Sequence, residues 1–315
     1  MYCKRNIFRL LLAMAVTTLV FSSCKKFQGD VTVPAYIHLD RIDVVPQAQN
    51  APSPEPGFYN SEIDAVQFIA YFEGDAAETN LGSFQLPCTV PVLNQGNMKY
   101  LRVYPVVKQN GVSSTRIYYI YYNYIELKNV SVTSDSVTNL GSFDSGKQQW
   151  YLQTNYKTRS QMRVLSEDYF EPTSFSSHFD STVVWVSDDP EGACTGQGYG
   201  LVHLPDTVSV QNFYINDEFD IPNSTVYMEM NYQTDVTLYV NMIGFELNSD
   251  RHATSKGVAA LRPTTGKGWR KVYINLTRTW SQFNYNQPFT VYFQAANTEG
   301  IDANVKIDNV KILSY

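Results

Sequence analysis

From residue 31 onward the chain is cut into short apolar and aromatic runs, each ended by Gly, Pro, Asp, Asn or Ser, and that punctuation excludes most folds. Trp150-Tyr151-Leu152 and the segments 182–186, 199–203, 226–232, 236–243, 271–276, 289–295 and 305–313 all have the length of strands rather than helices. At least seven such strands with turns between them indicate a sandwich or jelly roll. The 23 Tyr and 17 Phe agree, because aromatic side chains suit a pleated, half-buried surface. Ahead of them, 31–45 reads as an extended strand, ended by a Pro-rich stretch in which Pro52, Pro54 and Pro56 forbid a central strand. Segments 64–72, 82–86, 87–91, 100–107 and 113–127 complete a smaller set, and the polar stretch 131–139 follows as a boundary. The expected fold class is all-β: a small β-sandwich over 31–128, a linker over 129–139, and a larger jelly-roll β-sandwich over 140–315.

Residues 1–23 read as a signal peptide, with Lys4, Arg5 and Arg9 before an apolar run over 10–21 and the small pair Ser22-Ser23. The run is shorter than the roughly 20 residues a spanning helix needs. Phe21-Ser22-Ser23-Cys24 resembles the lipobox of bacterial lipoproteins, although Phe stands where Leu is usual. The resemblance implies that Cys24 carries lipid and that 24–30 is a lipid-anchored tether. The alternative is an ordinary secretory signal with a chance cysteine. Lipidation implies a seat in the outer membrane. Some Gram-negative bacteria direct lipoproteins to the surface through an acidic cluster after the cysteine, and Lys25-Lys26 stand there instead. The face is left open, with the cell surface preferred.

Three basic residues leave with the signal, so 21 Lys and Arg face 30 Asp and Glu, a balance of −9. Such a surface repels phosphate backbones and anionic headgroups, which excludes nucleic acid as a partner and leaves the lipid as the membrane attachment. Once Cys3 is removed and Cys24 acylated, Cys88 and Cys194 remain. Export permits a disulfide, but their expected placement in separate domains favours two isolated thiols.

Gly82-Ser83-Phe84-Gln85-Leu86-Pro87, followed by Val90-Pro91-Val92-Leu93-Asn94-Gln95-Gly96, resembles the small PEGA-type β-sandwich modules of bacterial envelope proteins, which are not enzymes. Trp269-Arg270-Lys271-Val272-Tyr273-Ile274-Asn275-Leu276, Phe289-Thr290-Val291-Tyr292-Phe293 and Val305-Lys306-Ile307-Asp308-Asn309-Val310-Lys311-Ile312 resemble the last strands of galactose-binding-like jelly rolls. In the final strand Val305, Ile307, Val310 and Ile312 alternate inward with a one-residue slip at Asp308-Asn309, which reads as a β-bulge. That fold serves carbohydrate binding, protein contacts and spacing, so the resemblance implies architecture before role. It also makes Asp308 the metal candidate, for a structural calcium ion. The alternative is a surface residue of the bulge. No other cofactor is expected.

Glu73-Gly74-Asp75-Ala76-Ala77-Glu78 has the acid spacing of laminarinase-type glycoside hydrolases, in which alternation along a strand aims carboxylates at one bond. Here the string falls in a hairpin turn, and no catalysis is expected from it. Asp188-Asp189-Pro190-Glu191-Gly192 offers calcium ligands or a solvated turn, and the turn is preferred. His38, His178, His203 and His252 show no metal spacing. No Gly-x-Ser-x-Gly occurs, and Gly196-Gln197-Gly198 precedes no helix. Trp150, Trp185 and Trp269 lie in strand-like runs, which favours the core. Trp280 has Gln282, Asn284, Tyr285 and Asn286 beside it, a mixture suited to a sugar-binding loop, so Trp280, Asn284 and Tyr285 are the ligand candidates. The run 118–124 reads as a strand with aromatics on both faces. Its outward tyrosines dock either the second domain or an external partner, and Tyr119, Tyr121, Tyr122 and Tyr124 form the candidate interface. Asp135-Ser136-Val137, Asp180-Ser181-Thr182 and Asp206-Thr207-Val208 resemble acceptor sites for bacterial O-glycosylation.

Seven residue steps separate Cys24 from Val31, which keeps the first domain within about 25 Å of its lipid. Close seating puts an accessory or scaffold subunit of an outer-membrane assembly or transport complex first among the readings. A carbohydrate-binding surface lipoprotein comes second and a glycoside hydrolase third.

Overall fold

The computed structural model describes residues 33–45, 62–93, 96–122, 124–141, 151–153, 161–164, 178–187, 189, 191–194, 198–221, 225–245, 253–264, 266–283 and 287–314. The signal peptide, Cys24 and the tether lie outside them, as does most of the Pro-rich stretch.

The N-terminal part comprises β1 (Ala35–Leu39), β2 (Asp43–Val45), β3 (Ala65–Phe72), β4 (Thr79–Gln85), β5 (Cys88–Val92), β6 (Gly96–Lys108), β7 (Arg116–Tyr118), β8 (Ile125–Val132) and β9 (Val137–Gly141). Period-two burial is plain in β1, where Ala35, Ile37 and Leu39 are buried and Tyr36 and His38 are half-buried. One sheet runs β5-β1-β9 and the other β4-β3-β6-β7, with β8 also paired to β6. Ile37, Val66, Phe68, Val90 and Leu101 belong to the core between them.

The 129–139 segment is a turn that carries the chain from one sheet to the other, and not a linker. Strand β8 runs to Val132, Ser136 Oγ donates to the Thr133 carbonyl at 2.6 Å, and Asp135 takes φ +56°. Strand β9 then pairs in parallel with β1, so the first sandwich closes at residue 141 instead of 128. Short polar side chains that bond their own backbone make a turn here, and their composition is that of a linker. The expected strand over 113–127 is also broken. Strand β7 ends at Tyr118, the Tyr122 N–H bonds the Tyr119 carbonyl at 3.1 Å, and β8 starts at Ile125.

The C-terminal part comprises β10 (Tyr151–Gln153), β11 (Gln161–Val164), β12 (Val184–Val186), β13 (Tyr199–Leu204), β14 (Val210–Tyr214), β15 (Val226–Thr234), β16 (Thr237–Phe245), β17 (Ala253–Leu261), β18 (Arg270–Asn275), the single helical turn α1 (Thr277–Trp280), β19 (Phe289–Ala296) and β20 (Ala303–Ser314). A six-stranded sheet runs β12-β13-β20-β15-β18 with β11 also against β20, and a four-stranded sheet runs β14-β19-β16-β17. Between them Phe213, Met228, Met230, Val240, Trp280, Phe289, Phe293 and Ile307 form the second core. Each such side chain contributes roughly 1.5–3 kcal/mol by leaving water. The fold is therefore all-β, a small sandwich followed by a larger jelly-roll sandwich. The expected bulge is present: the β15–β20 register shifts between Glu229 and Asn231, opposite Asn309 at φ +51°.

The two sandwiches are fused. Strand β15 is buried on both faces because Met228 and Met230 enter the jelly-roll core while Tyr227, with Tyr273 and Leu313, joins the core of the first sandwich. The Asn110 N–H donates to the Tyr273 carbonyl and the Asn275 N–H to Asn110 Oδ1, both at 2.8 Å. Beside them Gly111 takes φ +71°, and a Cβ there would stand 3.3 Å from Leu261 Cδ2. Close approach of this turn to the jelly roll therefore depends on glycine.

Candidate functional site

Of the two alternatives for the tyrosine run, three of the four candidates, Tyr119, Tyr121 and Tyr122, take the first and dock the second domain. Tyr119, Tyr121 and Tyr122 are buried between the sandwiches. The Tyr119 ring lies 4.7 Å from Tyr273 and 5.4 Å from Tyr227, and its hydroxyl donates to Glu229 Oε1 at 2.7 Å. Tyr121 donates to the Thr225 carbonyl at 2.7 Å, and the Tyr122 and Tyr273 hydroxyls are 3.0 Å apart. A turn gathers these rings on one side, where a strand would have alternated them. Tyr124 is exposed, with its ring 5.2 Å from the Arg102 guanidinium.

Burial alone would push the Glu229 carboxyl up. Lys271, at 2.9 Å, with Lys311 and the Tyr119 hydroxyl, outweighs it and holds the carboxyl below its ordinary range. Glu62, at the same junction, is pushed up because its desolvation exceeds the pull of Arg270, Lys108 and Lys271.

Trp280 is fully buried and cannot serve as a sugar platform. It ends α1, where the helical turn swings the indole onto Phe289 at 6.0 Å, and its N–H reaches the Gln287 carbonyl at 3.4 Å. Asn284 and Tyr285 lie outside the described residues. Asp308 is also fully buried, neither surface residue nor open cation ligand. Its Oδ1 accepts the Asn309 N–H at 2.7 Å and braces the bulge. Among the described residues no three His, Cys, Asp or Glu side chains are grouped to hold a metal ion.

Glu73 and Gly74 are exposed in the β3–β4 turn, while Glu78 takes hydrogen bonds from Tyr100 and Arg102. Asp189 forms a turn, accepting the Gly192 N–H at 2.9 Å and the Tyr199 hydroxyl at 3.0 Å. Trp185 and Trp269 are half-buried, and Trp269 donates to the Gly192 carbonyl. Trp150 and His252 lie outside the described residues. His38 pairs with Asp40, His178 with Asp217 and His203 with Asp302. No disulfide joins Cys88 and Cys194, and burial pushes the Cys88 thiol up to about 11. Ser136 is half-buried in its turn, whereas Ser181 and Thr207 are exposed in theirs.

The outer side of the four-stranded sheet carries what the sequence reading missed. Inward, Phe213, Phe293 and Val240 meet across three strands. Outward, register aligns Tyr214, Tyr292, Asn241 and Gly257 in one row, and Asn212, Gln294, Tyr239 and Ala260 in the next. Tyr214 and Tyr239 are 36% and 38% exposed, enough for a second ring to lie on them. Tyr214 and Tyr292 stack at 5.3 Å with 20° between planes, and Tyr292 shares a 2.8 Å hydrogen bond with Ser255. Gln294 Nε2 donates to Asn212 Oδ1 at 3.2 Å, and Asn241 Nδ2 is itself buried, with no hydrogen-bond partner among the described residues. Gly257 and Ala260 leave Asn241 and Tyr239 without a tall neighbour on β17. Four strands give a platform about 14 Å across. Aromatic faces accept the C–H side of a sugar ring, and flanking amides both donate to and accept from hydroxyls. Alternation in β16 marks Tyr239 and Asn241 as outward, but only strand pairing brings Tyr214 and Tyr292 beside them.

Comparison with models of protein families finds no match, and comparison with curated proteins finds none either. Among solved structures, a family 29 carbohydrate-binding module complexed with mannohexaose is 12% identical over 49% of this chain and 91% of that one, with a TM-score of 0.32. The same kind of module complexed with cellulohexaose is 10% identical, over 49% and 91%, at 0.30. The enzymatically active domain of tailspike protein 4 of bacteriophage CBA120 is 12% identical over 49% of this chain but 19% of its own, at 0.30. These likenesses concern β architecture and carry no argument about a ligand.

Proposed function

We propose that the protein is a non-catalytic, lipid-anchored envelope protein that binds carbohydrate on the outer side of its four-stranded sheet. The observation that carries this reading is the face itself: three outward tyrosines, 214, 239 and 292, set among Asn212, Asn241 and Gln294. The strands of that face, β14, β16, β17 and β19, contain no Asp, Glu, His or Cys, the side chains that most often act as general acids and bases near neutral pH. The candidate interface tyrosines lend the scaffold-subunit reading no support, because Tyr119, Tyr121 and Tyr122 lie between the two sandwiches. Position also favours glycan capture. The six-stranded sheet packs against the N-terminal sandwich, so the tyrosine face looks the opposite way.

Affinity electrophoresis of the mature chain through gels containing soluble polysaccharides tests the reading. Retardation by at least one polymer, lost in Tyr239→Ala without a change in melting temperature, supports it; mobility unaffected by every polymer defeats it. The anchor is tested separately. Cys24→Ala should abolish metabolic labelling with palmitate and move the protein from the membrane to the soluble fraction.

A further inference from the structure

We infer that the bound polymer is an uncharged polysaccharide, recognised through ring stacking and amide–hydroxyl hydrogen bonds alone; this rests on the glycan reading above.

The four strands of the face hold 31 residues, and Lys256 is the one charged side chain among them. At the chain's own 17% charged content, about five would be expected. Nor does Lys256 belong to the platform. It pairs with the inward residue Met242, and its Nζ lies 5.3 Å from the Phe283 ring centre and 3.3 Å from the Gln282 carbonyl. Solvent-facing strand positions are where charged residues normally collect. Their absence is not a habit of this protein's sheets, because the outer side of the N-terminal five-stranded sheet carries Arg102, Glu126 and Lys128 among its tyrosines.

A charge-free platform discriminates. A uronate or sulfate laid on tyrosine and amide loses water without gaining a cation, which is costly, whereas a hydroxyl finds in Asn and Gln both a donor and an acceptor. The four strands of the face also carry no carboxylate to hold a cation that could bridge to an anionic polymer, and at their edge Asp180 is engaged by the Tyr214 N–H at 3.0 Å. The overall negative balance of the mature chain adds repulsion at longer range.

Isothermal titration of the mature chain with glucomannan, xyloglucan and arabinoxylan, and in parallel with polygalacturonate, alginate and chondroitin sulfate, tests this. The expected result is binding to a neutral polymer whose Kd changes less than about twofold between roughly 0.01 and 1 M salt, over which screening lengths fall about tenfold. Tyr239→Ala should weaken that binding about tenfold. Binding to an anionic polymer that weakens many-fold with salt overturns the inference while leaving glycan recognition standing. Failure to bind any of the six overturns both.

Discussion

Two outward sheet faces of this protein are rich in tyrosine, and they treat it in opposite ways. On the N-terminal five-stranded sheet, Tyr71 stacks on Tyr100 at 5.3 Å, and the Arg102 guanidinium lies 4.4 Å from Tyr100 and 5.2 Å from Tyr124. Glu78 and Glu126 hold that guanidinium at 2.7 and 2.9 Å, and Tyr104 meets Tyr118 edge-on at 5.0 Å. Rings and charges there satisfy one another. On the jelly-roll face, Tyr239 and Asn241 have glycine and alanine opposite them on β17, and no charge competes for the amides. Aromatic content alone therefore does not mark a binding surface. The proposed site differs in Tyr239, 38% exposed and flanked on β17 by alanine instead of an ion pair.

That contrast can be broken in four places. Tyr119→Ala should cost about 3–5 kcal/mol in chemical denaturation, because it empties a buried ring site between the sandwiches. A loss under about 1 kcal/mol would mean that the junction is not packed as described. Glu229→Gln should cost about 3 kcal/mol near neutral pH, since it leaves Lys271 and Lys311 buried against a neutral amide. The pH dependence has a definite sign. A carboxyl held below its unfolded value of 4.5 adds stability above that pH and loses it as pH falls through the lower folded value. The gap between wild type and Glu229→Gln should therefore narrow below pH 4.5, and a gap that widens there contradicts the ion-pair account.

On the open face the balance reverses. Tyr239→Ala should reduce glycan affinity about tenfold, or about 1.4 kcal/mol, and leave folding stability within about 0.5 kcal/mol. If stability falls and affinity does not, the ring is structural. The smallest effect is expected at Arg102→Ala, which should cost about 1 kcal/mol of stability through its lost ring contacts and ion pairs, with glycan affinity unchanged.

Legibility in the sequence followed the range of the interaction. The bulge at Asp308-Asn309 could be read because a slip in alternation is written into adjacent residues. The turn before β9 could not, since Ser, Asp and Asn have the same composition in a turn between two sheets as in a linker. Only the pairing of Tyr36 with Val137, a hundred residues apart, separates the two. Trp280 misled for a local reason: its amide neighbours suggested a loop, and the helical turn that buries it has one turn's worth of sequence behind it. The tyrosine face is the extreme case. Its rings come from β14, β16 and β19, none of which carries a ligand-binding motif, and the face exists only once register has been set.

The link from Asn110 to Tyr273 and Asn275 has a mechanical meaning. It continues backbone hydrogen bonding from one sandwich into the other, so among the described residues the junction is already braced before any ligand arrives. Ordering on capture is confined to the side chains of the platform, at roughly 0.5–1.5 kcal/mol for each one immobilised. Tension on a bound polymer would pass through this junction as a load shared by several hydrogen bonds and a packed aromatic layer. The tyrosine face is thus held at a fixed angle to the N-terminal sandwich.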